Sequence, residues 1–229
     1  MAAPINSGKE YLCNAADGRS TRFRPERKKI CRLMQNKTDK DTGIVKFNTY
    51  LHNTSVEHLG RLCREYGTLQ TYKKGEEFIS AGEPARHLGL IIDGTAKYVV
   101  YTSGGDERVI GLETVGGFVA SFPWCLRRLP SPCTVIINSE ATICRLPTHT
   151  LLELMQLDED VRQNVERSTE AIFYTIYDRY IDGYAMSPKE RYRQLLQNVP
   201  ALFDIFQLKD IASYLNVTPY HLRRLRADI

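Results

Sequence analysis

Nothing in this sequence approaches the roughly 20 unbroken apolar residues of a membrane-spanning helix, so no membrane partner is expected. Residues 1–12 hold neither an apolar secretory core nor a cleavage signature, and a cytoplasmic location is expected. The six cysteines (Cys13, Cys31, Cys63, Cys125, Cys133 and Cys144) include no Cys-x-x-Cys pair. That spacing argues against a disulfide framework and against a closely ligated metal or iron–sulfur centre. It points to reduced thiols, several of them buried in strands. His-x-His pairs, phosphate-binding glycine loops and Ser/His/Asp arrangements are missing too. No enzymatic activity, metal or cofactor is therefore expected.

What is present is ordinary globular material, with 42% hydrophobic and 25% charged residues in a chain of 229. That is enough for one large domain or two small ones. The net charge of +4 is unevenly spread. Residues 1–46 and 187–229 are basic while residues 47–186 are mildly acidic, so a polyanion would be met by the ends. Residues 1–46, and 19–29 above all, are polar without apolar periodicity and read as a weakly structured extension. This extension is either a nucleic-acid-binding arm or a tail, and Met34 offers an alternative start.

Residues 47–149 read as a β-rich effector domain behind one helix. Val56, Leu59, Leu62 and Cys63 follow a helical spacing that Tyr66-Gly67 ends. Strand-like runs occupy residues 68–72, 77–79, 88–92, 95–101, 107–113, 134–138 and 141–146. Asp93-Gly94 and the Ser103-Gly104-Gly105-Asp106 segment mark hairpins. Many short strands punctuated by glycine indicate an antiparallel sandwich or roll. From residue 150 the pattern turns helical and stays so to residue 186. Val161, Val165, Ser168, Ile172, Ile176 and Tyr180 recur at steps of three and four. A helix of about 25–30 residues is long for a small domain to cover. The helix of a second subunit is the natural cover, which makes Val165, Ile172, Ile176 and Tyr180 candidate dimer-seam residues. The alternative is a helix lying along its own β domain. Either way the fold class is α+β.

Residues 187–229 begin with Ser187 at an N-cap, Pro188 at the first helical position and Glu190 placed for a capping box. Tyr192, Leu195 and Leu196 face inward from a helix over 191–199 that Pro200 stops, and 203–206 reads as a short strand or turn. In residues 208–226, Ile211, Leu215, Val217, Leu222 and Leu225 are spaced as the shared core of two short helices. Ala212 is small where they cross, and Asn216 stands where a left-handed backbone is needed. Thr218 caps the second helix and Pro219 opens it. This is a helix-turn-helix. Tyr220, His221 and Arg224 are the candidates for base edges, with Thr218, Arg223 and Arg226 for phosphates. The alternative is a structural helical hairpin with a basic face.

A β-roll, a long helix and a C-terminal helix-turn-helix, in that order, resemble the cyclic-AMP receptor protein/fumarate-nitrate regulator (Crp/Fnr) family of bacterial transcription factors. Matching pieces are Lys74-Gly75-Glu76, Gly82-Glu83, the Leu90-Ile91-Ile92-Asp93-Gly94 run and Gly117-Phe118, within a resemblance over residues 55–229. It implies a cyclic-nucleotide-binding-like jelly roll and a homodimer that docks two recognition helices on two-fold repeated double-stranded DNA, with RNA polymerase as a further partner. It also implies an effector held by the roll. Members that bind cyclic AMP carry Glu and Arg in that pocket, where this chain has Ser121 and Ser131. A buried cyclic phosphate without its cation is costly, so the nucleotide pocket reads as degenerate and cyclic AMP is not expected. Val119, Ser121, Phe122, Trp124, Ser131 and Cys133 then line either a pocket for an apolar effector or a filled core. The filled core is the first expectation, because aromatic clusters more often pack than bind. Family members continue into a winged-helix hairpin where this chain ends at Ile229, so no wing contact with DNA is expected. The competing class is a cyclic-nucleotide or other small-ligand sensing module that does not bind DNA.

Overall fold

A 3₁₀ turn, Thr49–His52, leads into helix α1, Thr54–Tyr66. Asn53 caps α1 by accepting from the Ser55 N–H at 2.8 Å, and Val56, Leu59 and Cys63 form its buried face. The computed structural model describes residues 48–227. The basic extension 1–46, the alternative start at Met34, Cys13 and Cys31 lie outside the described residues.

Eight strands follow: β1 Thr68–Tyr72, β2 Glu77–Ile79, β3 His87–Asp93, β4 Ala96–Tyr101, β5 Glu107–Glu113, β6 Phe118–Val119, β7 Thr134–Ile137 and β8 Ala141–Pro147. They form two antiparallel four-stranded sheets, ordered β1-β8-β3-β6 and β2-β7-β4-β5. Together these make the jelly roll that the strand spacing indicated. The Asp93-Gly94 turn depends on its glycine, which has φ +86° and would drive a Cβ into the Glu140–Ala141 backbone. Pairing of β4 with β5 is interrupted: Val99 faces Val109, while Tyr98 faces Gly111. Ile110 is the extra residue of this β-bulge.

The helical segment expected from residue 150 is in fact two helices, α2 Thr148–Leu157 and α3 Glu159–Ala185. Asp158 breaks the run with extended backbone and caps α3 through the N–H groups of Asp160 and Val161. Helix α4, Pro188–Asn198, opens with the capping box formed by Ser187 and Glu190. Residues Leu202–Ile205 form a single helical turn, α5, where a short strand or turn was expected. Leu202 and Phe206 are buried four residues apart, a spacing that puts two side chains on one helical face. Helices α6, Leu208–Tyr214, and α7, Pro219–Ala227, complete the described chain.

Two cores result. One lies between the sheets and under α1 and α3, with Leu59, Ile91, Val135, Ile143, Leu151 and Val165 fully buried or nearly so. The other joins Tyr192, Leu202, Ile211 and Leu222 of the C-terminal head to Val99, Val109 and Leu112 of the roll. The head therefore shares apolar packing with the edge of the second sheet.

Candidate effector cavity and DNA-reading helix

A cavity of about 290 Å³ opens between the roll and α3. Its mostly apolar wall includes Tyr98, Phe122, Trp124, Cys133, Ile172 and Ile176. The filled core expected here is thus replaced by open volume. The cause is visible in two buried tyrosines. The Tyr98 hydroxyl donates to the Phe118 carbonyl at 2.9 Å and accepts from the Ala120 N–H at 3.0 Å. The Tyr50 hydroxyl accepts from the Phe118 N–H at 3.2 Å. Both rigid rings are tied at their tips, so the β6 segment is held off the opposite wall.

Among the sequence candidates, Ser121, Phe122, Trp124 and Cys133 line this space. Val119 does not: it is fully buried in the core between the sheets, beside Gly89. Ser131 lies behind the wall, where Ser121 Oγ donates to its hydroxyl at 2.9 Å. Ser131 Oγ in turn donates a hydrogen bond to the Cys133 carbonyl at 2.7 Å. The two serines thus satisfy each other and the backbone. Burial raises the Cys133 thiol, which keeps it protonated and unreactive.

The polar residue that periodicity missed is Glu113, the last residue of β5. Its Oε1 accepts from the Tyr50 hydroxyl at 2.8 Å, while its buried Oε2 has no partner among the described residues. Gly117 lies against that carboxyl, and a Cβ there would collide with Oε2. Burial pushes the Glu113 carboxyl up to about 8, with the Tyr50 and Asn48 side chains and the Arg179 charge opposing the shift. Between the ordinary value of 4.5 and about 8 the folded chain holds a proton that the unfolded chain has lost. Stability therefore falls as pH rises through that window. Relative to Glu113→Gln, the wild type should lose stability steadily over this range and level off above it, as read by denaturant unfolding at a series of pH values.

Arg179 of α3 joins the cavity to the head. Its guanidinium donates to the carbonyl of Ile110, a group that the bulge frees from the β4–β5 ladder. The same group stacks 4.7 Å over the Tyr214 ring of α6. On the outer edge of β5, the Val109 N–H donates to Ser213 Oγ at 2.8 Å, so α6 covers what would be an open sheet edge. Lys97 of β4 reaches Asp210 at 3.3 Å and Glu107 at 2.5 Å. Periodicity gives no sign of the links to the head, because each spans dozens of residues.

On α3, the four candidate seam residues divide between different settings. Val165 is fully buried in the roll's own core, and Ile172 and Ile176 wall the cavity. Tyr180 is 59% exposed and belongs to a stripe with Phe173, Tyr177 and Tyr184 on a different face. Phe173 and Tyr177 stack at 5.6 Å, and Tyr177 and Tyr180 at 6.2 Å. At about 100° per residue the two faces stand roughly a third of a turn apart.

In the head, Asn216 has φ +54° and the Thr218 hydroxyl accepts from the His221 N–H at 3.1 Å. Leu222 and Leu225 turn inward, with Ala212 buried at the crossing. Tyr220, 68% exposed, and Arg224 lie one turn apart on the outermost face, with Arg223 beside them. His221 flanks them in a groove shared with Glu107 and Arg108. Arg226 folds back, its guanidinium 4.4 Å over the Phe203 ring.

Two antiparallel sheets rolled around one core, followed by a long helix, invite comparison with known folds. Residues 69–158 match the cyclic nucleotide-binding domain family. FixK2 from Bradyrhizobium japonicum has a similar structure, with TM-score 0.62 and 18% identity over 71% of this chain and 83% of that one. So does a Eubacterium rectale protein assigned to the Crp/Fnr family of transcriptional regulators, with TM-score 0.58 and 14% identity over 76% and 81%. A third is CLP of Xanthomonas campestris, described as a c-di-GMP-responsive global regulator, with TM-score 0.54 and 14% identity over 77% and 93%. No curated protein matches the chain. At these identities the likeness shows the fold: α+β, a cyclic nucleotide-binding jelly roll plus helices, arranged as in Crp/Fnr-type structures. The cyclic nucleotide-binding match includes Glu113, Ser121 and Ser131, while all of α3 and the whole head lie beyond it. No helix among the described residues is long and apolar enough to cross a membrane.

Proposed function

We propose that this protein is a homodimeric, sequence-specific, cytoplasmic DNA-binding transcriptional regulator acting on two-fold repeated operators. The observation that carries this reading is the exposed face of α7, where Tyr220, Arg223 and Arg224 project from a helix set by a left-handed Asn216 and a Thr218 cap. A helix so presented can enter a major groove, with Arg224, Tyr220 and His221 at base edges and Thr218 and Arg223 at phosphates. Arg226, stacked on Phe203, contributes charge from the flank.

The second copy is argued from Phe173, Tyr177, Tyr180 and Tyr184, whose exposed rings form one continuous stripe along α3. Apposing two such stripes removes the largest aromatic surface of the helix from water and sets the two heads side by side. Static light scattering should give a dimer mass, and Tyr180→Glu a monomer.

The roll is proposed not to take cyclic AMP, because Ser121 and Ser131 are spent on each other and the one cation of the cavity wall, Arg179, is engaged by the Ile110 carbonyl and the Tyr214 ring. Calorimetry with micromolar cyclic AMP should give no saturable heat. The test of the whole reading is salt-dependent binding to duplex DNA. The slope of log K against log salt should be about −0.9 for each phosphate contact. A chain that binds no duplex at low salt would instead be a ligand-sensing module.

A further inference from the structure

We propose that the jelly roll itself takes part in holding DNA: Arg108, near the start of β5, contacts a backbone phosphate, with Lys209 of α6 beside it. This rests on the regulator reading above and adds a contact from outside the helix-turn-helix. A groove of about 550 Å³ lies between the start of β5 and the head. Glu107 and Arg108 line it from the roll, and Lys209, Ser213, Thr218 and His221 from the head. Its two sides are joined by the Val109 N–H on Ser213 Oγ, one residue from Arg108. Strand alternation turns Val109 into the core and leaves Arg108 exposed.

The charges around this groove are unequally committed. Lys97 takes both nearby acids, Glu107 at 2.5 Å and Asp210 at 3.3 Å. Among the described residues Arg108 is paired only with Asp106, at 3.9 Å and with both side chains more than half exposed, a pair of little strength in water. Lys209 is exposed, and its ammonium has no partner among the described residues. Two cations are thus open to an anion beside Thr218.

The kind of anion follows from the motif. In a helix-turn-helix the first helix crosses the DNA backbone while the second reads the major groove. Lys209 is the second residue of that first helix, α6. A phosphate entering the groove would meet its ammonium and the five N–H donors of the Arg108 guanidinium. Such a contact carries no sequence information, because the phosphate is the same at every base pair.

The test is the salt dependence of binding to random duplex, read by anisotropy on the full chain. Arg108→Ala and Lys209→Ala should each flatten the slope of log K against log salt by about 0.9 per subunit. The ratio of operator to random affinity should stay within about twofold of wild type, since both duplexes present the same backbone. Arg128→Ala removes the same charge from a separate groove, lined by His87 and His149, and should leave the slope unchanged. That control separates a phosphate contact from a change in net charge. Circular dichroism confirms that each variant is folded. A wild-type slope in Arg108→Ala or Lys209→Ala, or an equal flattening in Arg128→Ala, overturns the proposal and leaves the regulator reading in place. A wild-type chain that binds no duplex removes both.

Discussion

Replacing Arg224 by alanine should weaken binding to a selected operator by about thirtyfold or more. A bidentate arginine–guanine contact discriminates by about 1–3 kcal/mol, and a homodimer loses it twice, for a total of about 2–6 kcal/mol. Arg224 is the arginine best placed for this role. It lies one turn from Tyr220 on the face of α7 opposite buried Leu222 and Leu225, whereas Arg226 is folded onto Phe203. Because the side chain is exposed, the substitution should leave stability within about 0.5 kcal/mol of wild type.

The contrast with Arg223 makes the prediction specific. Arg223→Ala should weaken operator and random duplex alike and flatten the salt slope by about one unit per subunit, the mark of a phosphate contact. Arg224→Ala should spare random duplex and relax the sequence preference. Anisotropy titrations on operator and scrambled duplexes at several salt concentrations read both effects. Unchanged operator affinity in Arg224→Ala would remove α7 as the reading helix.

Local chemistry is what the sequence carried legibly. Gly94 in its hairpin, Ser187 and Glu190 around Pro188, Asn216 in the left-handed turn and Thr218 at its cap each act on backbone within a few residues. Each is found where its chemistry demands. Apolar periodicity likewise placed seven of the eight strands, all but the two-residue β6, and the long helix. It could not say whose core an apolar face meets. Val165, Ile172 and Ile176 satisfy a helical repeat equally well against the roll or against a second subunit; the roll buries Val165 and packs against Ile172, while Ile176 stays half exposed.

The Asp158 break was hidden because an aspartate in a helical run reads as a solvent position until its backbone turns extended. Glu113 and Arg179 were hidden by the bulge at Ile110. That one extra residue shifts the strand's alternation and frees the carbonyl that Arg179 takes. Within the site, Ser121 and Ser131 were legible as small polar residues beside the aromatic Phe122 and Trp124. The volume they border was not, because it depends on two tyrosine hydroxyls bonding a segment 20 to 68 residues away.

The head's attachment is the least legible feature and the one whose loss should be felt most in stability. Lys97 and Asp210 are 113 residues apart, and the Asp210 side chain is 4% exposed. Burial alone would lower the Lys97 pKa, but Glu107 and Asp210 more than offset it and hold the ammonium above the ordinary lysine value. Lys97→Met keeps the stem and removes the charge. Glu107, on the more exposed side, can return to water. Asp210 cannot, and a buried charge stripped of its partner costs about 3–5 kcal/mol. For a chain of this size that corresponds to a fall in Tm of roughly 6–20 °C. Adding Asp210→Asn to Lys97→Met should recover most of the loss, since the stranded charge is gone while the side chain's shape is kept. Thermal unfolding of the two single variants and the double variant closes the cycle. If Lys97→Met left Tm unchanged, Asp210 would have to be reaching solvent, and α6 would not be docked on the β4–β5 edge.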